Sequence, residues 1–274
     1  MKRRSDRPRP KTGACRTAVA CVVFLLLAVG LSGCADVKGS GKLVTTQVGK
    51  AGFTAARAAD SWEVTLVRGD SYSVRVTTDD NLVDRLAVIV DGNALVLRLK
   101  PGTRTHNATL RATIVMPTLA GLDLADFSHA SVTGFSSGSL LTLSLGDFSS
   151  VALNALRTTT LNARAGDSSS VTGSIWVDKG SLRLGDSSGA TLSGSARVLT
   201  LQVSDDCFLD LSHLRAANIT ATLGDGSNGT VAVDGTLDAH LGDGSGLKYV
   251  GSPKLGGIHV GDGSSLLQTG AQGQ

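Results

Sequence analysis

The chain has 274 residues, of which 41% are hydrophobic and 4% aromatic, and its formal net charge is +3. This length fits one large β domain or two smaller domains. The positive charge belongs to the first 34 residues, which hold 7 of the 26 Lys and Arg and one of the 23 acidic residues. The rest of the chain carries 19 basic and 22 acidic residues, a net charge of −3. This balance does not point to a nucleic-acid partner.

The N-terminal segment has the pattern of a bacterial export signal. A basic stretch precedes an uncharged apolar run over residues 18–30, which is too short to span a bilayer comfortably. The motif LSGC at residues 31–34 resembles a lipobox, whose cysteine is lipidated and becomes the mature N-terminus. An uncleaved signal anchor, or a secretory signal in which Cys34 has no role, are the alternatives. We predict a signal peptide at residues 1–34, a lipid anchor at Cys34 and therefore attachment to a membrane of the cell envelope, on its periplasmic face or at the cell surface.

The next two segments are predicted to be a tether and a cap. Residues 35–42 (ADVKGSGK) are small and polar, which is typical of a flexible tether. In residues 43–116 hydrophobic and polar residues alternate, as in SWEVTLVRGDSYSVRV, and turn signals such as Asp91-Gly92-Asn93 separate the runs. We predict strands and hairpins that cover one end of the repeat that follows, because an open end would expose unpaired strand edges.

Residues 117–274 repeat one phrase eight times: Leu-x-Leu-Gly-Asp-x-Ser-Ser and then a short alternating run, as in LSLGDFSSVAL. The repeated aspartates, 18 to 21 residues apart, are Asp126, Asp147, Asp167, Asp186, Asp205, Asp225, Asp243 and Asp262. A period near 20 indicates a solenoid. The copies lack both the apolar run of a helix and the Trp-Asp signature of a propeller. The prediction is an all-β, single-stranded parallel β-helix of about 20 residues per coil, forming one domain with its strand-rich cap.

These features together resemble one bacterial family. The lipobox, the segment containing VRGDSYSV, the strand LVLRLK and the GDxSS ladder are similar to putative auto-transporter adhesin, head-GIN-type domains. The resemblance covers residues 43–267. It implies a right-handed β-helix exported to the cell envelope, and it supplies no catalytic residues to carry over.

The turn aspartates are the first candidate site. Carboxylates stacked about 4.8 Å apart repel by about 1 kcal/mol in water and by about 3 to 4 kcal/mol at an effective dielectric near 20. In a structural interpretation, each carboxylate accepts backbone N–H groups across its own turn, helped by the following serine. In the alternative, carboxylates of adjacent coils form a rail that coordinates Ca²⁺. We favour the structural interpretation and assign no metal and no cofactor.

Positions where the repeat changes are the second group of candidates. Phe127 and Phe148 follow the aspartate in consecutive coils, and they form an apolar contact patch if they point outward or widen the core if they point inward. His240 and His259 both lie three residues before their aspartate, so they should be neighbours on one face, as solvated side chains or as metal ligands. Cys207, with apolar neighbours, is predicted to be a packed thiol.

The repetition argues against catalysis. An acid–base pair needs two groups in different environments, whereas each coil offers the same aspartate beside the same serines. We therefore predict a non-catalytic interaction or adhesin-like module whose partner is an envelope protein or a glycan. The alternatives are an envelope scaffold without a specific ligand and a polysaccharide-acting β-helix enzyme. The sequence does not fix the oligomeric state.

Overall fold

The computed structural model describes residues 35–270, which contain twenty strands and one 3₁₀ helix. The first nine strands are β1 Ala35–Lys38, β2 Leu43–Val48, β3 Ala55–Ala58, β4 Glu63–Arg68, β5 Ser73–Asp79, β6 Leu86–Asp91, β7 Ala94–Leu99, β8 Thr103–His106 and β9 Leu110–Met116. The 3₁₀ helix, Asp80–Arg85, connects β5 to β6.

Eleven further strands build most of the repeat region. They are β10 Gly121–Leu124, β11 His129–Thr133, β12 Ser136–Leu145, β13 Ser150–Ala165, β14 Ser170–Leu184, β15 Gly189–Val203, β16 Phe208–Leu223, β17 Asn228–Leu241, β18 Gly246–Val250, β19 Lys254–Val260 and β20 Ser265–Thr269. Strands β13 to β17 are 14 to 16 residues long, and each of them makes nearly a whole coil.

The strands of successive coils pair in parallel, and equivalent residues of the repeat face each other. Leu143 pairs with Ala163, which pairs with Leu182, and Leu182 pairs with Leu201 in the coil after that. The predicted parallel β-solenoid with a period of about 20 residues is thus confirmed. Inward-facing Leu, Val, Ile and Ala of all coils form one continuous core.

A tight turn closes each coil at the repeated aspartate. In the coil that contains Asp147, the N–H of Ser149 donates to the carbonyl of Gly146 (3.1 Å), and Asp147 and Phe148 have φ of 52° and 61°. Two central residues with positive φ define a type I′ turn. Aspartate suits the first of these positions because it tolerates the left-handed conformation better than most residues.

The serine that ends this turn points into the core. This position is fully or almost fully buried at Ser128, Ser149, Ser169, Ser188, Ser227 and Ser245. Five of these hydroxyls bond the backbone of a neighbouring coil: those of Ser128, Ser149, Ser188, Ser227 and Ser245. Ser149 Oγ, for example, donates to the carbonyl of Leu124 (3.0 Å). The serine was predicted to accept backbone N–H groups across its own turn, and the structure instead joins it to the neighbouring coil. It serves the interior instead, since a small hydroxyl side chain fills the corner and satisfies backbone groups.

The solenoid begins earlier than the predicted boundary at residue 117. Strands β3 and β4 pair in parallel with β10 and β11, and β7 and β9 continue the same stack on the other side. The turn between β3 and β4 contains Asp60, a ninth member of the aspartate column that the regular spacing of the repeat does not reveal. Its φ is 74°, and its neighbour Ser61 donates its N–H to the carbonyl of Asp126 (2.7 Å).

Antiparallel strands extend the stack at the N-terminal end, in the region predicted to be a cap. Strand β5 runs antiparallel to β9, β2 runs antiparallel to β5, and β6 runs antiparallel to β7. The 3₁₀ helix buries Leu82 completely.

The structure differs from the predicted tether over residues 35–42. Strand β1 pairs in parallel with β8, and the N–H of Gly41 donates to the carboxylate of Asp79 (2.6 Å). This segment is attached to the cap because polar groups of the cap bind its backbone.

The predicted signal peptide and the lipidation site Cys34 lie outside the described residues. The helical residues that are described do not form a segment long and apolar enough to cross a bilayer.

Candidate functional site

The stacked turns form a ridge along the solenoid, here called the turn ridge: the nine turn aspartates and the residue after each of them. The N–H of the residue after the aspartate donates to the carbonyl of the aspartate in the next coil. Examples are Phe127 to Asp147 (2.8 Å), Phe148 to Asp167 (2.9 Å) and Ser168 to Asp186 (2.8 Å). Backbone hydrogen bonds therefore hold the ridge together, and its side chains are free for other contacts.

The aspartate carboxylates do not make the predicted bonds to backbone N–H groups of their own turns. Within residues 35–270, the eight predicted carboxylates accept one side-chain hydrogen bond, from Ser204 Oγ to Asp205 (2.7 Å). Asp60 accepts the N–H of Leu99 (2.8 Å), which belongs to a different coil. Eight of the nine turn aspartates, all except Asp262, have positive φ, so their structural role comes from backbone conformation rather than from capping by their side chains.

The carboxylates lean toward the residue before the aspartate in the preceding coil. The Oδ2 atom of Asp167 lies 3.6 Å from the place where a Cβ on Gly146 would be, and Asp186 and Gly166 have the same relationship. A Cβ at the glycine position would be in ordinary van der Waals contact with the carboxylate of the next coil. The residue before the aspartate is Gly, Ala or Ser in all nine turns.

Acidic groups influence each other along this ridge. The pKa of Asp126 is raised above its usual range, first because the group is partly desolvated and then because Asp147 and Asp60 lie next to it in the stack. Among residues 35–270, no three His, Cys, Asp or Glu side chains are grouped so that they could hold a metal ion.

Phe127 and Phe148 point outward from the turn ridge. They are 56% and 55% exposed, and their rings stack with centroids 5.1 Å apart and planes 3° apart. The question that the sequence left open is thus answered: these side chains form an exposed apolar patch rather than a wider core.

This aromatic pair occupies an unfavourable backbone conformation. Phe127 and Phe148 both have φ of 61°, where the equivalent residues of later coils are Ser168, Ser187 and then Asp or Gly. The left-handed region costs about 1 to 2 kcal/mol for a residue with a Cβ, and bulky residues are rare there. Stacking of the two rings offsets about 0.5 to 1.5 kcal/mol of that cost.

The other predicted irregularities are also placed by the structure. Cys207 occupies the position of the inward serine and is 2% exposed, which confirms the packed thiol, and burial raises its pKa. The next residue, Phe208, is 58% exposed on the strand that leaves the turn. His240 and His259 are neighbours as predicted, with ring centroids 4.5 Å apart and planes 14° apart.

Charged side chains of both signs line a shallow depression of about 460 Å³ beside the turn ridge. Arg183, Asp225, His240 and Asp243 contribute to its lining, and all four side chains are exposed. Catalytic acid–base pairs in proteins depend on desolvation or close partners that separate their pKa values. The structure does not bury any of these four side chains.

Comparison with known proteins gives a consistent result. The family model described as "Putative auto-transporter adhesin, head GIN domain" matches residues 52–253. A search of curated proteins found no match.

Three crystal structures are similar in fold. A "putative adhesin" from Parabacteroides merdae is 13% identical with a TM-score of 0.75, and the match covers 85% of this chain and 99% of that chain. A "putative lipid binding protein" from Parabacteroides distasonis is 15% identical with a TM-score of 0.78, covering 86% and 100%. A "putative adhesin" from the same organism is 17% identical with a TM-score of 0.73, again covering 86% and 100%.

Proposed function

The chain belongs to the "Putative auto-transporter adhesin, head GIN domain" family, and from this premise we propose that it is a non-catalytic, adhesin-like module of the cell envelope. The rigid solenoid would present a contact surface, and Cys34 would carry a lipid that anchors the chain to a membrane. The export pattern of residues 1–34 supports the anchor.

One observation supports the contact surface above the others: the stacked, exposed pair Phe127 and Phe148 on the turn ridge. Exposed aromatic side chains supply large apolar contact area with little loss of side-chain freedom. In this left-handed conformation, a phenylalanine does not stabilise the turn more than the serine that occupies the same position in later coils. Their exposure is therefore better explained by contact with a partner. We propose an envelope protein or a glycan as that partner.

A matched substitution tests this surface. Phe127→Ser and Phe148→Ser install the residue that Ser168 and Ser187 provide at the same position, so the turn is preserved. We expect the double variant to bind envelope fragments at least about tenfold more weakly than the unchanged chain, the loss expected when an aromatic anchor is removed. Phe208→Ser is the control, because Phe208 is equally exposed but lies on the strand after the turn, three coils from Phe148.

The result also separates the alternatives. Treating the fragments with protease or with glycan-degrading enzymes before binding identifies the partner class. Equal binding by the unchanged chain and the double variant would eliminate the phenylalanine pair as the contact surface and would favour the scaffold alternative. Accessibility of the chain to external protease in intact cells is required for an adhesive role. Release of the Cys34→Ala variant from membranes is expected if that cysteine carries the anchor.

Contact with a lipid surface is a second candidate. The same exposed phenylalanine pair favours it, and one similar structure is described as a "putative lipid binding protein". The exposed aspartates beside the pair would oppose anionic lipid, so neutral vesicles are the appropriate probe. Co-sedimentation with such vesicles that requires Phe127 and Phe148 would support this candidate over the adhesive one.

A further inference from the structure

The two ends of the solenoid differ. At the N-terminal end, β5 and β2 continue the stack beyond β9, β6 continues it beyond β7, all in antiparallel pairing, and the 3₁₀ helix connects β5 to β6. At the C-terminal end, β19 and β20 form the terminal coil. Within residues 35–270, β19 pairs only with β17 and β20 only with β18. The outer edges of both strands thus present N–H and C=O groups without strand partners.

The inward-facing apolar residues of successive coils stack in columns, and the last member of several columns is exposed to solvent in this terminal coil. Leu255, Ile258 and Val260 are 46%, 37% and 43% exposed. The residues that pair with them in the preceding coil, Leu237, Ala239 and Leu241, are 0%, 2% and 0% exposed. The terminal coil therefore offers the same kind of surface that each inner coil buries against the next one.

A second coil of the same cross-section is what matches this surface. It would continue the apolar columns, and its strands would lie about 4.8 Å from β19 and β20, the distance at which strands hydrogen-bond. The N-terminal end of another copy matches this surface less well, because the core-facing residues of its outermost strands, such as Val48, Val88 and Val90, are already partly buried. The terminal coil of another copy can serve. Two identical ends meet around a two-fold axis, which makes the paired β19 strands antiparallel.

The charges of β19 fit this arrangement. Lys254 begins the strand and Asp262 lies two residues after its end, and both are exposed. Antiparallel pairing of β19 with its symmetry mate brings the lysine of each copy toward the aspartate of the other. We propose that the chain forms a tail-to-tail dimer through its terminal coil, with β19 of the two copies paired. This proposal does not depend on the proposed function.

Charge reversal tests both the dimer and its register. The full chain is examined by sedimentation equilibrium in density-matched detergent. We expect the unchanged chain to dimerise, and Lys254→Asp and Asp262→Lys each to weaken self-association at least about tenfold through like-charge contacts. The double variant Lys254→Asp, Asp262→Lys restores the opposite charges and should recover dimerisation. A monomeric unchanged chain, or a double variant no better than the single ones, overturns the proposal.

An apolar substitution provides an independent arm. Val260→Asp places a charge in the centre of the proposed interface, whereas Leu140→Asp changes an equally exposed residue on β12 away from the end. We expect monomers for the first variant and dimers for the second, with unchanged β circular dichroism in both. Dimers that persist in Val260→Asp overturn the proposal, as does capture of a different envelope protein at this end by a chain that remains monomeric alone.

Discussion

The backbone N–H of Cys207 donates a hydrogen bond to the buried hydroxyl oxygen of Ser227 in the next coil, 3.1 Å away. The same contact joins Trp62 to Ser128 at the other end of the repeat (3.1 Å). Both donors are buried, so water cannot replace the serine as their acceptor. The inward serine thus connects adjacent coils from within the core.

Ser227→Ala is expected to lower the free energy of unfolding by about 1 to 3 kcal/mol, because the N–H of Cys207 would stay buried without an acceptor. Chemical denaturation followed by circular dichroism measures the change. Ser170→Ala, an outward-facing serine, is the control and should change stability by less than about 0.5 kcal/mol. Similar losses in both variants would contradict the assigned role of the inward position.

The turn aspartates lead to a second prediction. Asp167 has φ of 52°. Asp167→Asn should keep stability within about 0.5 kcal/mol, since asparagine also tolerates this region. Asp167→Val should cost at least about 1 kcal/mol more because a β-branched residue does not tolerate it.

Denaturation of both variants gives the comparison, with Asp123→Val on strand β10 as the control. There the side chain lies in extended backbone, and its exposed pair with Arg57 (3.8 Å) contributes little. A large loss in Asp167→Asn would mean that the carboxylate itself stabilises the turn.

The buried thiol gives a pH dependence with a defined sign. Burial raises the pKa of Cys207 in the folded chain above that of the unfolded thiol, which is about 8.5. The contribution of the protonated thiol to stability is complete below the unfolded pKa and is lost as the pH rises through the folded pKa. The stability difference between the unchanged chain and Cys207→Ala should therefore be constant between about pH 6 and 8 and then shrink at higher pH.

Denaturation curves at each pH provide this difference, and the Cys207→Ala reference removes the titration of other groups. A difference that grows above pH 9 would show that the thiolate is stabilised in the folded chain. Alkylation of native Cys207 should likewise be slow until denaturant is added, because the thiolate is the reactive form.

The sequence predicts the solenoid and its period, but it does not predict the turn at Asp60 or the orientation of the turn side chains. Spacing alone indicates parallel coils, because a repeat of nearly constant length, such as that of Asp147, Asp167 and Asp186, is typical of a solenoid whose coils stack in register. Asp60 escaped detection because strands β5 to β9 lie between it and Asp126, and pairing across such an insertion leaves no local signal. The motif Ala-Asp-Ser-Trp followed by Val64 and Leu66 was the available clue.

The orientation of Phe127 and Phe148 needed the structure for a different reason. Alternation of apolar and polar residues predicts which side of a strand faces the core, but it fails inside a type I′ turn, where two left-handed residues interrupt the alternation. The same interruption hid the inward serine. Sequence patterns therefore located the ridge, and its backbone geometry determined which side chains it displays.

The stacked rings of Phe127 and Phe148 should be energetically coupled. A double-mutant cycle with serine at both positions is expected to give a coupling energy of about 0.5 to 1.5 kcal/mol, the usual range for stacked aromatic pairs. Each single substitution should cost less than a core truncation, since it relieves the left-handed strain of one bulky residue while it removes the stack. Stability of the four chains is measured by denaturation.

The control cycle pairs Phe148 with Phe208, three coils further along the repeat, and should show no coupling. Equal coupling energies in both cycles would mean that the contact between the two rings does not stabilise the folded chain.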